Sequence, residues 1–327
     1  MKKIITILCT ALTLTACTQN TRTIATPVKQ NQKPVKSFTQ WCEERFTLPQ
    51  ETKHTVEVLL NEAGTQDCEQ ANQKLSNLTD LSLWGDKISD LAPLASLTNL
   101  TYLMLRENQI SNLKPLSNLT NLTSLSIVKN QISNLTPLSE LNKLEYLMLP
   151  ANKITDIKPL SNLTNLTSLH LDYNPIGDVK QLSEFTSLTY LGLTNNQISD
   201  IKPLSKLTNL TRLLLGENKI SNIKPLSGLT NLTVLSLDLN QISNIKPLSE
   251  LTNLRRLRLA KNKISNIKPL SELTNLRRLN LRENQISDLK PLSNLDKLEY
   301  LYIDVNPIGK KVCPIKPHSV CKFFPYR

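Results

Sequence analysis

Glycine is scarce in this chain, 7 residues in 327, and aromatic residues make up only 4%. So little glycine leaves too few turn positions for a hairpin-rich barrel and cannot supply a Gly-X-Y fibre. So few rings argue against an ordinary β-sandwich core. There is no Cys-x-x-Cys pair, no Gly-x-Ser-x-Gly elbow and no glycine-rich phosphate loop. The usual sequence support for a zinc ribbon, an α/β-hydrolase or a nucleotide-binding fold is therefore missing. The apolar run from Ile4 to Leu14 is shorter than the ~20 residues a membrane-spanning helix needs. Hydrophobic residues still reach 39%, enough to bury a core and exclude wholesale disorder.

What is abundant is leucine, 63 residues by count, and positive charge. Lys plus Arg less Asp plus Glu is 39 − 27 = +12, which raises acidic polymers, nucleic acid or membrane surfaces as partners. The N-terminal residues account for part of this. Lys2 and Lys3, the apolar run and small residues after it read as a secretory signal peptide over residues 1–16. Leu14-Thr15-Ala16-Cys17 resembles the bacterial lipobox, which implies that Cys17 becomes the lipidated first residue of the exported protein. Thr18 follows in place of Asp, resembling an outer-membrane sorting signal if the host is Gram-negative. Without Lys2 and Lys3 the charge is 12 − 2 = +10. Residues 17–36 are rich in Thr, Gln, Asn, Lys and Pro and read as a flexible tether between lipid and folded body.

From about residue 75 the chain is periodic. Asn recurs at 108, 130, 152, 174, 196, 218, 240, 262, 284 and 306, always 22 residues apart, and Asp86 holds the place in the first unit. Around each landmark stands Leu-x-x-Leu-x-Leu-x-x-Asn-x-Ile, as in Leu210 to Ile220, followed by a Pro-Leu-x-x-Leu block such as Pro225 to Leu229. A fixed period with this pattern is the leucine-rich repeat signature. Leu-x-Leu predicts a short strand with its leucines inward. The Asn amide predicts pairing to buried loop backbone. The Pro block predicts a short 3₁₀ or irregular turn on the far side. The expected fold is an α/β solenoid, a horseshoe with a parallel concave sheet of about 11 repeats over residues 75–309.

Segments such as Asn284-Gln-Ile-Ser-Asp-Leu-Lys-Pro-Leu-Ser-Asn-Leu295 resemble the 22-residue repeats of bacterial internalins. The resemblance spans about residues 75–310 and implies protein binding on the concave sheet. It does not carry over to host-cell invasion, because no Leu-Pro-x-Thr-Gly sequence, immunoglobulin-like module or wall-binding repeat accompanies the repeats.

Solenoid ends must be capped. Residues 37–74 predict a helical N-terminal cap, with Val56, Leu59, Leu60 and Ala63 at helical spacing, Pro49 opening the helix and Gly64 closing it. Residues 310–327 predict a C-terminal cap. Of six cysteines, Cys9 leaves with the signal and Cys17 takes lipid. Export favours disulfides for the remaining four, Cys42 with Cys68 and Cys313 with Cys321. A zinc site is the alternative, without the spacing to support it, and no metal or other cofactor is expected.

Side chains two, four and six residues before each Asn should face outward from the sheet. They include Trp84, Tyr102, Met104, Arg106, Tyr146, Met148, His170 and Tyr190 in the first half, then Arg212, Leu214, Arg256, Arg258, Arg278, Arg282, Tyr300 and Tyr302. Trp84, Tyr102, Tyr146 and Tyr190 suit apolar anchors, and Arg256, Arg258, Arg278 and Arg282 suit carboxylates or sulfates. Lys114, Lys158, Lys180, Lys202, Lys224, Lys246, Lys268 and Lys290 share one position before the Pro column and form a ladder away from this face, a solubility feature. Ser168, His170 and Asp172 alternate on one strand, but nothing beside them supplies an oxyanion hole. The expected protein is therefore not an enzyme. It is a monomeric, exported, lipid-anchored envelope protein with a protein partner. Polysaccharide binding and a structural spacer are the alternatives, membrane contact runs through the lipid, and nucleic acid is not expected.

Overall fold

Each 22-residue unit closes the same circuit. In the unit around Asn218, Leu213 and Leu215 point inward from a three-residue strand, Ile220 and Ile223 follow, and Leu226 sits in a 3₁₀ turn with Pro225 at its start. Leu229 and Leu232 complete a core in which all seven of these side chains are buried. The computed structural model describes residues 35–309 and 312–323. The signal peptide, Cys17 and nearly all of the tether lie outside them.

The strands are β1 (Asp80–Ser82), β2 (Tyr102–Met104), β3 (Ser124–Ser126), β4 (Tyr146–Met148), β5 (Ser168–His170) and β6 (Tyr190–Gly192). They continue as β7 (Arg212–Leu214), β8 (Val234–Ser236), β9 (Arg256–Arg258), β10 (Arg278–Asn280), β11 (Tyr300–Tyr302) and β12 (Cys321–Lys322). All twelve lie in one open parallel sheet in sequence order. The register steps by one repeat, so Leu103 sits beside Leu125 and Leu125 beside Leu147. Each of β1 to β11 ends one residue before the second inward Leu or Ile of its repeat, yet the ladder runs on: Leu105 N donates to Ser126 O at 2.8 Å.

The landmark asparagines join the units. Asn218 Nδ2 donates to Leu193 O at 2.9 Å and to Leu215 O at 3.2 Å, while its Oδ1 accepts from Ile198 N at 3.0 Å. The two bonds to the preceding repeats recur from Asn108 to Asn306, and the bond within the repeat recurs from Asn152 onward. Each asparagine satisfies backbone groups that water cannot reach. The residue before each Asn is left-handed. Gly85 takes this place in the first unit at φ 75°, and ten non-glycine residues take it afterwards at φ 51–57°.

Three helices form the N-terminal cap: α1 (Phe38–Glu43), α2 (Gln50–Ala63) and α3 (Cys68–Ser76). Only α2 has the length and periodicity to be legible in sequence. It starts after Pro49, which is its N-cap residue, and stops at left-handed Gly64. α1 rests on a Ser37–Gln40 capping box, and α3 on Asp67, whose side chain accepts from Gln70 N. Cys42 in α1 is bonded to Cys68 at the start of α3, Cα to Cα 5.6 Å. α2 docks on the first repeat through Thr55 Oγ1 to Asp90 O at 2.7 Å and His54 Nε2 to Asp86 O at 2.6 Å. At the other end Cys313 is bonded to Cys321, and β12 adds a twelfth strand beside β11. This strand was not expected from the repeat count, because it comes from the cap and not from a Leu-x-Leu unit.

Candidate functional site

Outward-facing side chains of the sheet divide into three stretches of different chemistry. In the first, β3 presents Ser124 and Ser126 between two matching strands. Tyr102 and Met104 stand on β2 and Tyr146 and Met148 on β4, each in register with a serine. The serines are the floor and the larger side chains the walls of a trough two strand spacings wide, about 10 Å. Met104 and Met148 are the only methionines after Met1. The core is built without them, so both are free to line the surface. Ser126 Oγ is buried on this floor without a hydrogen-bond partner. At the trough's N-terminal end Trp84 is 62% exposed, with the Arg106 guanidinium 5.9 Å from its ring. Arg106 Nε is buried and unpartnered as well. Glu107 beside them bonds Lys129 at 3.0 Å, which holds its carboxyl below the usual value.

In the middle stretch Ser168 Oγ lies 3.0 Å from His170 Nε2, and the His170 ring stacks on Tyr190 at 4.1 Å. Burial lowers the pKa of His170, with the Asp172 charge opposing. Burial also raises that of Tyr190, helped by Asp172 and opposed by Arg212. Asp172 departs from the outward orientation expected for its column. It is 8% exposed and accepts from Thr194 N at 2.8 Å. Its carboxylate serves the backbone of the next repeat, so Ser168 and His170 stand together without an aligned third member.

Buried aspartates stand in the same column of two further repeats, and the first of them, Asp238, uses the same device. Asp238 is buried, accepts from Ala260 N at 2.8 Å and pairs with Arg258 Nε at 2.5 Å. Burial raises its pKa against the pull of Arg258. Asp304 is buried and pairs with Arg282 at 2.8 Å. An exposed Tyr173, Leu239 or Val305 follows each of these acids. The pattern recurs every 3 × 22 = 66 residues, a longer period hidden inside the short one.

The last stretch carries the arginines. Arg258 and Arg282 are committed to buried aspartates, and Arg277, at the sheet margin, to Glu299 at 2.8 Å. Arg256 and Arg278 are exposed neighbours in register, without an ion pair among the described residues. The Arg278 guanidinium lies 5.0 Å from the Tyr300 ring, which stacks with Tyr302. Arg212 stands apart on β7, two strands before Arg256. Asn280 lines the same surface but was not singled out from sequence. Its equivalence to Arg258, one repeat earlier, was the available signal.

Larger grooves lie on the opposite side, between successive 3₁₀ turns, with volumes of about 530 to 680 Å³. They recur with the repeat and are lined by its own Lys, Pro, Ser and Asn residues, so they follow from stacking. No three His, Cys, Asp or Glu side chains gather as a metal would need among the described residues.

Comparison with known proteins places this geometry. The family described as Leucine Rich repeats (2 copies) matches residues 98–140, 142–184, 186–228, 208–250, 230–272 and 274–316. An internalin (inlF) from Listeria monocytogenes is 30% identical over 84% of this chain and 95% of its own, with a TM-score of 0.69. Internalin C2 from the same species is 35% identical over 62% of this chain and 91% of its own, TM-score 0.59. The functional domain of InlJ, again from Listeria monocytogenes, is 29% identical over 84% of this chain and 57% of that one, TM-score 0.69, and is described as including a cysteine ladder. This chain has no cysteine between Cys68 and Cys313. No curated protein matches the sequence. With two thirds of its length matched as repeats and an internalin aligned almost end to end, the chain belongs to the leucine-rich repeat family in its internalin-like form, a fold that generally serves protein–protein interaction and is typically a non-enzymatic scaffold.

Proposed function

We propose that this is an exported, lipid-anchored protein of the bacterial envelope that binds another protein on its concave sheet. One observation carries the binding reading: the side chains the fold does not need are gathered there. Tyr102, Tyr146, Tyr190, Tyr300 and Tyr302 are five of seven tyrosines, and Trp84 is one of two tryptophans. Both internal methionines join them, while Leu and Ile fill the core. Trp, Tyr and Arg dominate interface energetics, and Met adapts to irregular partners. Eleven repeats offer about 50 Å of such surface. Export and anchoring rest on Lys2, Lys3, the apolar run and Cys17.

The test is a photo-crosslinking residue at position 146 in intact cells, with one at position 246 on the opposite side as control. A discrete protein adduct from 146 alone, lost in Trp84→Ala/Tyr102→Ala, is the expected result. Identical adducts from both positions sink the concave-face reading. Cys17→Ser should release the protein from the envelope, and retention would overturn the lipid anchor. Exposed, flat rings at Trp84 and Tyr146 also suit sugar stacking. Saturable glycan binding lost with Trp84→Ala and Tyr102→Ala would favour polysaccharide instead.

A further inference from the structure

We propose that the depression across β9, β10 and β11 is an anion site that takes a carboxylate-bearing, acidic segment of the protein partner. The assignment rests on the concave-face reading above and names the chemistry of its C-terminal half. A depression of about 300 Å³ lies there, lined by Arg256, Arg258, Arg278, Asn280 and Tyr302. Every polar side chain lining it can donate a hydrogen bond. Asn280 fits this rule, because its Oδ1 accepts from Arg282 N at 3.2 Å, which leaves the amide nitrogen as the free group.

The charges are in excess of what folding uses. Arg258 neutralises buried Asp238 and Arg282 neutralises buried Asp304. Arg256 and Arg278 remain, side by side on adjacent strands. Like charges directly opposite each other oppose folding, and an incoming anion removes that repulsion. The Tyr300 ring under Arg278 restrains its guanidinium, so less freedom is lost when a planar carboxylate engages it bidentately. The Lys ladder has none of this. Its grooves on the opposite side include a carboxylate beside the lysines, Glu250 in one and Glu272 in the next.

The experiment titrates the folded chain from residue 18 onward with a fluorescent ten-residue oligoglutamate. An oligoglutamine serves as the uncharged control and a sulfated oligosaccharide as a competing anion. Arg256→Gln/Arg278→Gln should weaken oligoglutamate binding by about tenfold or more, and added salt should weaken it in the unmodified chain. Lys246→Gln/Lys268→Gln, with the same change of charge, should leave it within about twofold. Absence of saturable binding overturns the proposal, as does equal loss in the lysine variant, which marks general attraction. Tighter binding of the sulfated oligosaccharide through the same arginines marks a glycan site and overturns it too. The position-146 crosslink separates the two readings. An adduct that forms unchanged in Arg256→Gln/Arg278→Gln leaves partner binding standing and removes the anion site from it.

Discussion

The carboxylate of Asp172 fills the space that a side chain at position 192 would need. A Cβ built on Gly192 overlaps Asp172 Oδ2, while Asp172 Oδ1 accepts from Thr194 N at 2.8 Å. The glycine is therefore required by its neighbour, not by its own backbone angles. Gly192→Ala should destabilise the fold by about 1–3 kcal/mol through overpacking. Asp172→Ala should also destabilise, by leaving the Thr194 N–H without its acceptor. The double variant should be more stable than the sum of the two losses, because the first change opens the space the second fills. Urea unfolding of the four proteins measures this, and strict additivity would refute the contact.

A landmark asparagine in mid-solenoid should be worth more than one ordinary hydrogen bond. Asn218 holds Ile198 N, Leu193 O and Leu215 O at once. Asn218→Ala strands buried donors and acceptors that no water replaces, each at about 1–3 kcal/mol. A total loss of at least about 3 kcal/mol is expected, and Asn218→Asp should cost no less, because its second oxygen would face the Leu193 and Leu215 carbonyls with a buried charge. Asn306, in the last repeat and less buried, should cost less when changed to Ala. Equal losses at 218 and 306 would contradict the bridging role.

Periodicity made most of this legible in the sequence. Leu and Asn positions 22 apart imply strands, register and an inter-repeat ladder, because every unit must bury the same face against the next. The outward tyrosines and arginines followed from the alternation of a strand. Legibility failed where the period breaks or where one repeat reaches into another. Helix α1 is six residues long, too short for helical spacing to register, and β12 belongs to a cap with no repeat. Asp172 and Asp238 occupy an outward column yet turn down onto the following repeat, a choice set by a backbone N–H and by the small neighbours Gly192, Thr194 and Ala260, while Asp304 in the same column is buried against Arg282 of the repeat before it. The same contacts divide the arginines into committed and free, a distinction no single column reveals.

His170 should titrate below the ordinary imidazole value near 6.5, because burial under Tyr190 disfavours the charged ring. The sign follows from linkage. The folded pKa is depressed, so the unfolded chain binds the proton first as pH falls. The stability contribution is present above about 6.5 and is lost as pH drops from there to the folded value. Asp172 favours the imidazolium, so Asp172→Asn should push the His170 pKa lower still. Titration of the His170 ring by NMR checks both statements. A pKa at or above 6.5 in the unmodified chain would rule out the stacked, desolvated ring.

Left-handed backbone before each asparagine is imposed by the turn out of the strand, whatever residue stands there. Val305 adopts φ 57° with its side chain 65% exposed. It therefore bears the steric cost of this region with little burial in return, and β-branching makes the cost larger. Asn195 occupies the equivalent place at φ 54° with a residue type that tolerates it. Val305→Asn should raise the stability of the last repeat by about 1 kcal/mol. Val305→Pro, whose ring forbids positive φ, should lower it by at least about 3 kcal/mol. Hydrogen exchange at Leu301 and Ile303 localises either change to this end of the solenoid. A fall in stability on Val305→Asn would mean that the valine is held by packing of its own, and the strain would then have to be sought at Leu239, where the same backbone carries an unbranched Cβ.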